Sequence, residues 1–181
     1  YRYIGYVILT GNCATYRFWY ENCCRPPGIT NISNSNGNGA DGFYFDAELN
    51  NTLGQNSSPI FVSEPVRAFC VNNPFNWKQS SVEYDGDSVR YSLINCRENA
   101  YPNQTNIPFD WGFSATQPVS SLYFNINPST GQISFYPTNQ EIDALSVLIE
   151  EYRYDSTWNV WVKVGTASRD MMISIAFNCN S

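Results

Sequence analysis

The chain alternates. Over most of its length apolar and polar residues exchange with a period of two, the pattern of a half-buried strand, and the 3.6-residue period of an amphipathic helix is nearly missing. "YRYIGYVILT" (1–10) and "ATYRFWY" (14–20) are rich in the β-branched and aromatic types that suit a pleated surface. Further runs follow at "GFYFDAEL" (42–49), "PIFVSE" (59–64), "SVRYSLI" (88–94), "SLYFNIN" (121–127), "GQISFYP" (131–137), "NVWVKVG" (159–165) and "MMISIAF" (171–177). Turn chemistry separates them: Asn36-Gly37, Asn38-Gly39, Asp41-Gly42, Asp85-Gly86 and "NPSTG" at 127–131. One stretch, "NQEIDALSVLIEEYR" (139–153), has acidic residues where a helix would start, but it fits a strand at least as well. Many short strands with regular turns predict an all-β sandwich.

The polar stretch "NNTLGQNSSP" (50–59) reads as a linker and divides the chain. Residues 1–58 carry three or four strands, too few for a sandwich of their own, and are expected to complete an upstream domain or pack on the one behind. Residues 59–181 have the strand number and length of one immunoglobulin-like β-sandwich. The chain opens on strand-like sequence without an initiator Met or a leader, as expected of a mature or excised piece of something longer.

Composition narrows the chemistry. Histidine is absent, which removes Ser-His-Asp and Cys-His catalysis and the histidine zinc sites. A net charge of −6, with basic residues scattered singly, argues against nucleic acid and anionic membrane surfaces. No run of 18 apolar residues occurs, so direct membrane insertion by a helix is not expected.

Six cysteines remain: Cys13, Cys23, Cys24, Cys70, Cys96 and Cys179. Without paired CxxC spacing they suggest disulfides made in an oxidising compartment. Cys23 and Cys24 are adjacent, and a bridge between neighbours closes a strained ring that is seldom formed. A metal clip would need further thiolates. Neighbours on an extended segment project oppositely, so two separate bridges are expected, one back to Cys13 and one to Cys70 or beyond.

"CCRPPGITNI" (23–32), "NSSPIF" (56–61), "YDGDSVRYSL" (84–93), "INPSTGQISFYP" (126–137), "EEYR" (150–153) and "SRDMMISI" (168–175) occur in that order. Together they resemble a region shared by large surface proteins of the Bacteroidota, of the gliding-motility-associated or adhesin-like kind. The second half is also similar to cadherin-like domains of the dystroglycan type. The chain departs from that pattern in two places: Arg25-Pro26-Pro27 stands where Arg-Asn is usual, and Tyr84 replaces one acidic residue of the Asp-rich turn. The resemblance implies an extracellular, cell-surface location attached to a bacterial outer membrane.

It also raises calcium, which cadherin-like domains bind at domain junctions. Asp85 and Asp87 flank a Gly turn, Glu64, Glu150, Glu151 and Asp170 are the further carboxylates that could join them, with Glu150 and Asp170 taken as candidate ligands, and Asn56 sits at the junction. The competing reading is a plain hairpin turn capped by Asp87, which Tyr84 favours. Glu150 and Glu151 should face opposite ways on a strand, so they cannot make a glycosidase pair; an ion pair of one with Arg153 or Arg169 is expected.

Trp158 and Trp161, three apart, should also face opposite ways, one into the core. Sequons at Asn31, Asn50, Asn56 and Asn103 matter only in a eukaryotic secretory route. The expectation is a non-catalytic structural or adhesive module whose partners are neighbouring domains of a longer chain and surface glycans or other cell-surface proteins. A carbohydrate-binding module attached to a secreted polysaccharide-active enzyme is the alternative, marked by a row of exposed Trp or Tyr on one sheet face.

Overall fold

The computed structural model describes residues 6–33, 42–65 and 67–177. Thirteen strands follow one another: β1 Tyr16–Asn22, β2 Phe43–Leu49, β3 Ile60–Phe61, β4 Arg67–Cys70, β5 Phe75–Lys78, β6 Ser81–Val82 and β7 Ser88–Ile94. After them come β8 Arg97–Glu98, β9 Thr105–Asn106, β10 Ser121–Ile126, β11 Gln132–Pro137, β12 Glu141–Asp155 and β13 Val160–Ala176. No helix occurs among the described residues, so the fold is all-β. The ambiguous stretch at 139–153 is strand.

A large sheet runs in the order β1-β2-β13-β12-β7, with β4 lying parallel against the end of β13. A smaller antiparallel sheet, β10-β11-β5, packs on one face of it. Odd-numbered residues of β12 and β13 (Leu145, Val147, Ile149, Met171, Ile173 and Ile175) meet Trp77, Phe124, Ile133 and Phe135 across the interface. Phe69 of β4 meets Phe135 edge to face, with ring centroids 4.8 Å apart. The "NPSTG" turn closes β10 onto β11 as expected: the Asn127 side chain accepts from the amides of Ser129 and Thr130, and Gly131 turns at φ 67° beside Tyr91.

The expected linker does not separate two domains. β1 and β2 form a hairpin whose second strand pairs with β13 at Gly165–Ala167, so residues on both sides of position 58 share one sheet. The two expected runs at 159–165 and 171–177 are one continuous strand. The intervening Thr166–Asp170 contains neither Gly nor Pro to break it, although Thr166, Ala167 and Ser168 are buried in succession rather than alternating. The expected strand at 1–10 falls partly outside the described residues, and Tyr6–Thr10 are irregular.

The outer face of the large sheet is covered by a loop. Ile32, Cys96, Ile107 and Ala144 form a second small core there. Asn31, fully buried, holds the edge of β12 as a strand would: its amide nitrogen donates to the carbonyls of Pro118 (2.7 Å) and Ala144 (2.6 Å), and its oxygen accepts from Ala144 N (2.9 Å).

The cysteines depart from expectation. Cys23 and Cys24 are bonded to each other, with Cys24 at φ 76°, rather than to distant partners. Their segment bends instead of extending, so the two side chains converge. Cys13 and Cys96 are free thiols. Cys70 is disulfide-bonded, and Cys179 lies outside the described residues. Burial pushes the Cys96 thiol up to about 12, which leaves it unreactive at neutral pH.

Candidate metal centre

At one end of the sandwich, three parts of the chain converge: the linker 53–57, the turn 83–87 before β7, and the end of β12. The turn is built on Glu83. Its carboxylate accepts from the amides of Asp85 (2.5 Å) and Asp87 (2.7 Å), and Gly86 takes the left-handed conformation at φ 79° that the tight bend requires. The linker is tied to this turn by Ser57 N, which donates to Asp85 Oδ2 at 2.5 Å. Arg153 completes the junction. Nε donates to Asp87 Oδ1 at 2.8 Å and Nη2 to Asp87 Oδ2 at 2.6 Å. Its other contacts reach Gln55 O (2.9 Å) and Asn56 Oδ1 (2.8 Å).

Glu83, Asp85 and Asp87 each place one carboxylate oxygen so that all three lie within 4.8 Å of one another. Beneath them sits Glu151, wholly buried on the inner face of β12. One of its oxygens is 3.3 Å from the Asn56 amide, and the other, Oε1, has no hydrogen-bond partner among the described residues. Burial, and then the charges of Glu83, Asp87 and Asp85, push its carboxyl up to about 7. Gly165, directly across from Glu151 on β13, makes the room: a Cβ there would collide with the Glu151 carboxylate.

Three carboxylates therefore gather beside one guanidinium, with the buried Glu151 close enough for their charges to raise it. Arg153 offsets only one of the charges, and the carboxylate oxygens it touches keep lone pairs for a second partner. Hard oxygen donors from a short turn, with a linker carbonyl region beside them, suit calcium rather than a thiolate- or imidazole-seeking metal. The residues that could hold it are Glu83, Asp85 and Asp87, with Glu151 and its partner Asn56 nearby.

Of the four carboxylates singled out in the sequence, Asp85 and Asp87 stand in this cluster and the other two do not. Glu150 points to the opposite face and lies 3.6 Å from Lys163 Nζ. Asp170 is buried far from the turn, held by Arg25 through two contacts of 2.7 and 2.6 Å. Glu64 is exposed and belongs to no such group. Glu151 pairs with neither Arg153 nor Arg169, contrary to expectation, because Asp87 takes the Arg153 fork. Glu83 was missed: it precedes the Asp-Gly pair and looks like the solvent-facing end of a strand. Its spacing of two from Asp85 and four from Asp87 was the available signal.

The tryptophans differ as well. Trp158 lies in the turn between β12 and β13 and is exposed; Trp161 is exposed too, packed at 5.4 Å on Tyr154. Neither enters the core. No helix among the described residues is long and apolar enough to cross a membrane. Comparison with protein-family models gives no match, and comparison with curated proteins gives none either.

Proposed function

We propose that this chain is a non-catalytic module of a large extracellular surface protein of adhesive or gliding-motility type, a sandwich of the immunoglobulin or cadherin-like kind stiffened by calcium at one end. The observation that carries the reading is the Glu151 carboxylate: a wholly buried acid with an unpartnered oxygen, beneath three more carboxylates and only one guanidinium. A buried carboxyl of this kind is either held protonated or met by a cation, and the three acids beside Glu151 favour the second. Bound calcium would join the turn 83–87, the linker and β12 into one rigid end. That is where a module in a series of domains needs stiffness. The proposed setting is the surface of a bacterium, outside the outer membrane, with neighbouring domains of the same longer protein as first partners.

The test is thermal unfolding of the chain in chelator, in magnesium and in calcium, with calorimetric titration of calcium. A rise in melting temperature with calcium but not magnesium, lost in Glu151→Gln and in Asp85→Asn, is the expected result. Identical melting in chelator and in millimolar calcium would remove the ion from this reading, leaving Arg153 as the cluster's sole cation.

A further inference from the structure

β1 is a free edge of the large sheet. It stands at one end of the order β1-β2-β13-β12-β7, and no backbone hydrogen bond among the described residues reaches its outer side. Such an edge presents a row of N–H and C=O groups that can pair with another chain, so folded proteins blunt it with lysine, proline or a bulge. β1 has none of these: it contains neither Lys nor Pro, and it runs against β2 from Tyr16 to Asn22 without a shift in register. At the opposite end of the order, by contrast, the Tyr91 amide of β7 is taken by Pro128 O at 2.8 Å.

Three consecutive aromatics on this edge are largely bare. Phe18, Trp19 and Tyr20 keep 40%, 43% and 45% of their surfaces exposed. Phe18 and Tyr20 lie on the core-side face beside Phe45, and Trp19 lies on the outer face against Tyr44. Two charges share that outer face, one on each side of Trp19. Arg17 is held from β2 by Glu48 and, at 3.4 Å, by Asp46. Glu21 is exposed and forms no ion pair among the described residues.

We propose that β1 pairs with β1 of a second copy of this chain, antiparallel about a two-fold axis at Trp19, to make a homodimer with one continuous sheet. The strand is complementary to itself. Turned end for end, Tyr16–Asn22 sets Arg17 of each copy opposite Glu21 of the other, Phe18 opposite Tyr20, and Trp19 opposite Trp19. Every such pair joins like faces, so the core-side face of one copy continues into that of the other. Opposite charges and aromatic pairs directly across two strands are the contacts that stabilise a sheet. Arg17 then stands between Glu48 of its own β2 and Glu21 of the second copy, and Glu21 gains the cation it lacks. A two-fold contact uses the same patch on both copies and stops at two. The net charge of −6 on each copy opposes the encounter, but physiological salt screens it beyond about 8 Å, whereas the Arg17–Glu21 pairs act at contact distance. Seven residues a side is a small interface, so the dimer should be weak, with a dissociation constant on the order of 10–100 μM. No residue of the acid cluster takes part, so the dimer stands or falls separately from the calcium reading.

Sedimentation velocity of the whole chain from about 5 to about 500 μM in physiological salt, once with calcium and once with chelator, tests it. A reversible monomer–dimer equilibrium in both buffers is expected. Glu21→Arg sets like charges opposite each other twice in every dimer and should weaken it about tenfold or more. Arg17→Glu should do the same, and an equimolar mixture of the two variants should dimerise again, because each then carries the charges that the other needs. Circular dichroism checks that both fold; Glu21 is exposed, so its variant decides the matter alone if Arg17→Glu unfolds. A chain still monomeric at the highest concentration, a dimer undiminished in folded Glu21→Arg, or association that continues past two copies would overturn the proposal. So would a mixture of the two folded variants that stays monomeric.

Discussion

Arg25 and Asp170, 145 residues apart in the chain, meet in a buried two-pronged ion pair that ties the Cys23–Cys24 segment to the middle of β13. Their side chains are 4% and 6% exposed, and Ser146 Oγ adds a further bond to Asp170 at 3.0 Å. Removing one partner strands the other charge in the interior. Arg25→Ala should therefore cost about 3–5 kcal/mol in urea unfolding, and the double replacement Arg25→Met with Asp170→Leu much less than the sum of the two single changes.

Glu151 makes stability depend on pH in a definite direction. Its folded carboxyl is raised to about 7 from an ordinary value of 4.5. The metal-free fold thus prefers the protonated form, and its stability should fall as pH rises from about 4.5 to 7 and then level off. The full effect is on the order of 3 kcal/mol from the size of that shift. Calcium needs the ionised form, so stabilisation by the ion should grow across the same window. Glu151→Gln should flatten both trends in unfolding measured with and without chelator.

Asp143 offers a second acid with the same sign and the same leading cause, in a different place. It is wholly buried at the start of β12, neither oxygen has a hydrogen-bond partner among the described residues, and it stands near the buried Glu141, whose carboxylate accepts from Ser120 N and Oγ. Burial, then the Glu141 charge, raises its pKa to about 9. Stability should erode as pH rises from about 4 toward 9. Asp143→Asn, neutral at every pH, should lose that erosion and exceed the parent chain in chemical unfolding at pH 9.

Asn31 completes the edge of β12 with three buried hydrogen bonds to backbone. Asn31→Ala should leave the Ala144 amide and carbonyl unpaired and lower stability by about 2–4 kcal/mol, with Arg153 and Glu151 untouched. Hydrogen exchange at the Ala144 amide should rise in step, which separates a lost edge from general loosening.

The Cys23–Cys24 bond closes almost no loop, so its entropic contribution is small. Cys23→Ser with Cys24→Ser should shift the unfolding free energy by about 1 kcal/mol or less. A larger loss would show that the bond holds the Arg25 segment in place.

Local patterns revealed much of this architecture. The alternation of β7, β10, β11 and β13 and the turns at Gly86 and Gly131 depend on neighbours in sequence, and sequence displays them. Pairing between distant segments is another matter. The parallel contact of β4 with β13 involves four residues with no turn to announce it. The hairpin β1–β2 joins β13 across a stretch whose composition looks like a boundary. Asp170 looks like a free acid because the arginine that neutralises it lies in the opposite third of the chain. Asp85-Gly86-Asp87 was visible in the sequence and Glu83 was not; Glu151 was one of several acids named, and nothing singled it out because only folding brings the end of β12 to that turn.

One glycine has a wider consequence. β12 and β13 could in principle slide past each other, since strands pair in any register that keeps apolar faces aligned. Only where Gly165 lies opposite Glu151 does the buried carboxylate find space. Gly165 thus works as a notch that one tooth fits. A slip of two residues would keep every side chain on its own face, yet it would set a side chain against that carboxylate, so the glycine and the bulge beside it mark the register of this ladder.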